Sequence, residues 1–140
     1  MRVVLDTNVV ISGLVWGGSP RRLFDFAHQN IIQLYTSAVL LDELEGVISR
    51  DKFLQKLISC GLTPGEIMCG YAALARTVTA SAIPRTVPTD ADDDAVIACS
   101  IAAQTDMIVT GDRDLLILRQ FQNIAILKPS EAVQIILAAE

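Results

Sequence analysis

Apolar residues fall along this chain in two alternating patterns, short unbroken runs and longer stretches with helical spacing. The short runs are Val3-Val4-Leu5, Ile31 to Tyr35, Thr77-Val78-Thr79, Met107 to Thr110 and Ile124 to Leu127, and they predict five strands. Between them the spacing predicts helices at 20–29, 37–49, 64–76, 92–104, 113–120 and 130–139, with a further short helix within 50–62 that ends at Gly61. Helix-start signals stand at Ser19-Pro20, Ser37, Thr63-Pro64, Asp90, Asp112 and Pro129-Ser130. Unbroken apolar strands separated by helices favour a mainly parallel sheet covered on both faces. The expected architecture is one α/β/α sandwich, a single domain over 1–140 with no repeat or linker.

Composition narrows the class. Hydrophobic residues make up 51% of the 140 positions but aromatics only 5%, so the core is aliphatic. Mean hydropathy is +0.45, which raises the question of a membrane. The longest uncharged stretches, 7–20 and 26–41, both contain polar residues. Neither supplies the ~18 consecutive apolar residues of a spanning helix. The N-terminus lacks the apolar region and cleavage site of a signal peptide. The three cysteines, Cys60, Cys69 and Cys99, form no CxxC pair and read as reduced thiols of a cytoplasmic protein.

Sixteen acids against eleven bases give a net charge of −5, which argues against a surface that grips nucleic acid all over. The acids are clustered, however. Asp90, Asp92, Asp93 and Asp94 crowd into five positions, and Asp112 and Asp114 follow the fourth predicted strand. Asp6 directly follows the first. In open α/β sheets, ligands bind beyond the carboxyl ends of the strands, so Asp6 and Asp112 share an edge if strands one and four are neighbours.

Two further acids need a local argument. On the helix from Ser37, the residues Leu40, Leu44, Val47 and Ile48 form a stripe, and Glu43 lies about 60° from Leu40 at its margin. Asp42 and Glu45 fall on the far side, facing water. A solvated glutamate that favours the helix is the plain reading of Glu43; a ligand at the edge of a buried face is the functional one. Acids near a helix N-terminus gain ~0.3–1 kcal/mol each from the dipole, which accounts for Asp90 or Asp92 as caps. Four together repel one another, and Asp94 leads straight into Ala95-Val96-Ile97-Ala98, where it is partly desolvated. Asp112 can be an N-cap, a ligand or both. Carboxylates converging from four chain regions are untenable when dry and uncompensated, and oxygen-only donors suit Mg²⁺ or Mn²⁺. Such ions on an aspartate platform are suited to hydrolysing phosphodiesters.

Asp6-Thr7-Asn8-Val9, Ser37-x-x-x-Leu41-x-Glu43-Leu44, Asp94-Ala95 and Ile108-Val109-Thr110-Gly111-Asp112-Arg113-Asp114-Leu115 together resemble the PIN-domain family, over nearly the whole chain and in the family's order. The likeness is nearest to the VapC-like subgroup, toxins of toxin–antitoxin pairs. The resemblance implies a five-stranded sheet of order 3-2-1-4-5 and a metal-dependent endoribonuclease that leaves a 3′-hydroxyl and a 5′-phosphate. Its acidic quartet maps onto Asp6, Glu43, Asp94 and Asp112 as catalytic and metal-binding residues. Asp93 shares the work of Asp94, since the run of acids leaves the register open by one. Asp114 would be a supporting acid, and Thr7, Asn8 and Thr110 would orient ligands or waters. The resemblance also implies a homodimer or higher homo-oligomer and, as partner, a small cognate antitoxin protein.

The substrate path is less marked. Arg21 and Arg22 stand in the first turn of a helix, where the dipole disfavours cations, so they are candidates for RNA phosphates as well as for a solvated surface. Arg113 is a further candidate. Trp16, beside Gly17-Gly18, either stacks a base or packs over the core. His28 reads as a surface or capping residue. Three rivals remain. A receiver-like phosphoacceptor domain matches Thr110 and Lys128-Pro129, but Thr77-Val78-Thr79-Ala80 ends without an aspartate. A haloacid-dehalogenase-like phosphatase needs Asp-x-Asp, and Asn8 holds the second acidic place. The third is a catalytically inactive PIN scaffold.

Overall fold

In the computed structural model, which describes residues 1–80 and 91–140, the predicted alternation of strands and helices is present. The order is β1 (Arg2–Leu5), α1 (Thr7–Ile11), α2 (Ser19–His28), β2 (Gln33–Thr36), α3 (Ala38–Ile48), α4 (Asp51–Ser59), α5 (Pro64–Leu74) and β3 (Arg76–Thr77). It continues with α6 (Ala91–Ala103), β4 (Met107–Val109), α7 (Arg113–Leu116), β5 (Gln120–Phe121), β6 (Ile124–Leu127) and α8 (Pro129–Ala138). Asp90, expected as a helix start, lies outside the described residues, as does the side chain of Asp92.

The sheet runs β3-β2-β1-β4-β6-β5. All pairs are parallel except β5–β6. The order expected for five strands is kept, with β6 in the place of the fifth. The correction is one additional short strand, β5, which folds back antiparallel beside β6. Its hairpin is turned by Gln122 at φ 48° and Asn123 at φ 69°, a left-handed pair without glycine that the sequence does not flag. Arg119, at φ 61°, also ends the predicted 113–120 helix early.

Successive strand residues point to opposite faces, and both faces are covered. Val3, Leu5, Leu34, Met107 and Val109 join one buried cluster with side chains from α1, α2, α3, α4, α5 and α8. Val4, Tyr35, Ile108 and Ile126 join a second with Val96, Ile97 and Cys99 of α6 and Leu115 of α7. That is why the strands read as unbroken apolar runs.

One helix was not anticipated. Thr7–Ile11 is α-helical although three of its five residues are valine or isoleucine, and it passes into a π-helical turn over Ser12–Trp16. The Gly17 N–H closes that turn on the Ser12 carbonyl at 2.9 Å. The chain then reverses at Gly17 and Gly18, both left-handed with φ of 104° and 73°, a conformation glycine adopts without strain.

Candidate metal centre

β1 and β4 lie side by side in parallel, with Leu5 opposite Val109. The residues that follow them therefore emerge at one edge of the sheet. There the Asp6 N–H bonds the Val109 carbonyl at 3.0 Å. Asp6 and Thr110 are both buried. The Thr110 hydroxyl donates to Asp6 Oδ2 at 2.7 Å and accepts from the Asp112 N–H at 3.0 Å. Because an amide can only donate, the single hydroxyl proton is committed to Asp6. Thr110 thus ties the two strand ends together and orients Asp6 relative to Asp112.

Asp112 caps α7, its Oδ1 accepting from the Asp114 N–H at 2.9 Å. The capping role considered for it is real. It does not exclude a second one, because oxygens of Asp93, Asp112 and Asp114 all lie within 4.8 Å of one another. Oxygens bound ~2.1 Å from one Mg²⁺ lie at most about 4.2 Å apart, so this trio needs only small side-chain adjustments to hold a hard cation. Asp93 is buried, Asp112 half-buried and Asp114 exposed. Like charges this close repel one another, less where water reaches Asp114. A divalent cation removes that repulsion.

The run of aspartates left the register open by one, and the two neighbouring positions differ in what they meet. Asp93, in the first turn of α6, is the member that meets Asp112 and Asp114. Asp94 is buried as well, at 8% exposure, one position on. Glu43 is half-buried on α3 between buried Leu40 and Leu44, while Asp42 and Glu45 are exposed, as the helical wheel anticipates. Helix α3 packs against α1 and α6, the two helices that start beside Asp6 and at the acidic run. Thr7 is buried and Asn8 exposed in the first turn of α1.

The substrate candidates fall in varied surroundings. Arg21 donates through Nε to the Gly13 carbonyl at 2.6 Å and through Nη2 to that of Leu14 at 3.4 Å. It caps the π-helical turn, which explains a cation in the first turn of α2. The Arg22 guanidinium lies 5.7 Å from the Phe26 ring centre. Trp16 is 60% exposed and carries Lys56 Nζ 4.8 Å over its ring, so it does not pack over the core. His28 is exposed in the last turn of α2. Arg113 is exposed and faces a groove with Arg119 and Lys128. The last two went unnoticed as substrate candidates; the Lys-Pro directly after the last apolar run was the available signal.

The family described as PIN domain matches residues 2–114. Among solved structures, a chain of VapBC2 from Rickettsia felis, bound in its crystal to a DNA fragment from their promoter, is similar with a TM-score of 0.60. The match covers 90% of this chain and 97% of that one at 15% sequence identity, a likeness of fold. No curated protein matches by sequence.

Proposed function

This chain belongs to the PIN-domain family, and from that premise we propose that it is a Mg²⁺- or Mn²⁺-dependent endoribonuclease, the toxin of a toxin–antitoxin pair. The observation that carries the proposal is the meeting of Asp93, Asp112 and Asp114 at the strand edge where Thr110 joins Asp6 to Asp112. In this reading Asp6, Asp93, Asp94, Asp112 and Asp114 form the metal-binding wall, with Glu43 facing it from α3. When bound, a hard divalent ion lowers the pKa of a water and offsets charge on the attacked phosphate.

The chain's own residues set the stage for that chemistry. Thr110 fixes Asp6 as an acceptor and holds its distance from Asp112. The α7 cap keeps Asp112 and Asp114 side by side. Thr7 and Asn8, in the first turn after Asp6, orient ligands or water. The toxin assignment draws on the resemblance to the VapC-like subgroup and on the fold shared with a chain of VapBC2. It carries with it a cognate antitoxin, homo-oligomers and a cytoplasmic location. The receiver-like alternative is disfavoured by topology: receiver sheets run 2-1-3-4-5, whereas here β3 lies at the edge beyond β2.

Cleavage of single-stranded and structured RNA, with Mn²⁺ and with EDTA, tests the proposal. The wild-type protein is expected to cleave only with the ion. Asp6→Asn and Asp93→Asn each lower the rate by about a hundredfold or more. Equal rates in wild type and both variants, or no cleavage by wild type under any condition, would refute it; the second outcome favours the inactive scaffold.

A further inference from the structure

Beside the acidic wall lies an open groove of about 420 Å³ lined by Arg113, Leu116, Ile117, Arg119 and Lys128. Among the described residues, three of the five that line it are cations and none is an acid, in a chain whose net charge is −5. The fold explains how they gather. Arg113 opens α7 between Asp112 and Asp114. The chain turns at Arg119, whose carbonyl is bonded by the Ile126 N–H of β6 at 2.9 Å. Leu127 is paired with Val109, and its carbonyl accepts from the Thr110 N–H at 2.9 Å. Lys128 is therefore level with Thr110 at the same sheet edge as Asp6. Its backbone N–H is held by Glu131 Oε1 at 3.1 Å, which fixes the residue at the start of α8. The apolar part of the lining is just as unusual: Ile117 is 73% exposed.

We infer that this groove binds the ribose-phosphate backbone of the RNA strand next to the cleaved bond, with phosphates on Arg113, Arg119 and Lys128 and a base or ribose face against Ile117. The inference rests on the ribonuclease reading and adds the direction from which the strand reaches the site. A wall of carboxylates repels a polyanion. A cationic track beginning at Arg113, which stands between Asp112 and Asp114 in the chain, supplies the compensating attraction next to the acids.

The test reverses charge away from the acids. Arg119→Glu/Lys128→Glu, made on an Asp6→Asn background to prevent turnover, is titrated with a labelled single-stranded RNA and with the DNA of the same sequence at several salt concentrations. RNA affinity should fall about tenfold or more, and the salt dependence should become shallower by ~0.7 for each phosphate no longer neutralised. With the acids intact and Mn²⁺ present, the reversed pair should raise KM about tenfold and leave kcat within about twofold, as expected when ground-state and transition-state binding weaken equally. Arg119→Lys should keep most of the affinity. Circular dichroism checks folding, and the milder pair Arg119→Gln/Lys128→Gln replaces the reversed one if that fails to fold. Unchanged RNA affinity and KM would overturn the groove while leaving the nuclease standing. A groove-dependent affinity for DNA with none for RNA would overturn the assignment to RNA. A wild-type protein that neither binds nor cleaves RNA would overturn both.

Discussion

Thr110 has one proton to give and two neighbours that depend on its hydroxyl, a carboxylate that needs a donor and an amide that needs an acceptor. Thr110→Val keeps the shape and abolishes both bonds, leaving the buried Asp6 oxygen without that donor. A hydrogen bond to a charged group contributes about 1.5–3 kcal/mol, so urea denaturation should show a loss of about that size. RNA cleavage should fall with it, because Asp6 and Asp112 are no longer held together. Thr110→Ser should restore most of both; a valine variant as stable as wild type would mean the hydroxyl orients nothing.

Cys99 yields a second prediction at this scale. It is buried in α6, and burial pushes its thiol from 9.0 up to about 11, against a smaller lowering by the Ser37 hydroxyl. Tyr71, buried with no hydrogen-bond partner for its hydroxyl among the described residues, is raised in the same direction, first by desolvation and then by Cys99. A group whose folded pKa is raised contributes stability that is full below its unfolded pKa and lost as pH rises through the folded one. Stability should therefore decline between about pH 9 and 11 in urea melts. At pH 8 a thiol reagent should label exposed Cys60 and Cys69 quickly and Cys99 only on unfolding. Prompt labelling of all three would contradict its burial.

At the scale of elements, the turn from α1 to α2 shows what sequence patterns miss. Thr7-Asn8-Val9-Val10-Ile11 is rich in β-branched residues, which lose rotamer freedom in a helix, so local propensity does not announce α1. Packing does: Val9, Val10 and Ile11 are all buried and join the cluster beneath the sheet. At Gly13 a Cβ would strike the Phe24 ring and come within 2.9 Å of the Pro20 carbonyl, so the close approach of α2 requires glycine there. Arg21 completes the junction by bonding the carbonyls that the π-helical turn leaves exposed. Arg21→Ala should accordingly lower stability by about 1–3 kcal/mol and leave the KM for RNA within about twofold. A raised KM at unchanged stability would return Arg21 to the substrate path.

The strands were easier to read than α1 because burial on both faces writes an apolar run directly into the chain. Strand β5 escaped because two residues are too few to show a period. Within the candidate site, the shared edge of Asp6 and Asp112 was legible from the strand-end rule alone, and the half-burial of Glu43 from its place on the helical wheel. Which of Asp93 and Asp94 approaches Asp112 and Asp114 was not. Adjacent positions differ by ~100° around a helix, and only the spatial meeting with α7 distinguishes them. Asp114, which sequence ranks as a supporting acid, is brought into the trio by the cap that Asp112 provides.

At the scale of the whole molecule, a parallel sheet gathers the ends of β1 and β4 and the start of α6 at one edge. Residues more than a hundred positions apart in sequence become neighbours there, and an acidic protein gathers several carboxylates at that edge. In the proposed reading, the cationic groove beside it divides that edge into a metal side and a side for the RNA backbone. Anomalous diffraction from crystals soaked in Mn²⁺ tests whether Asp93, Asp112 and Asp114 together hold a divalent ion. The expected result is a manganese peak with carboxylate oxygens of all three residues within ~2.3 Å of it. A fully soaked crystal with no peak between them, or with manganese bound only by other groups, would contradict it.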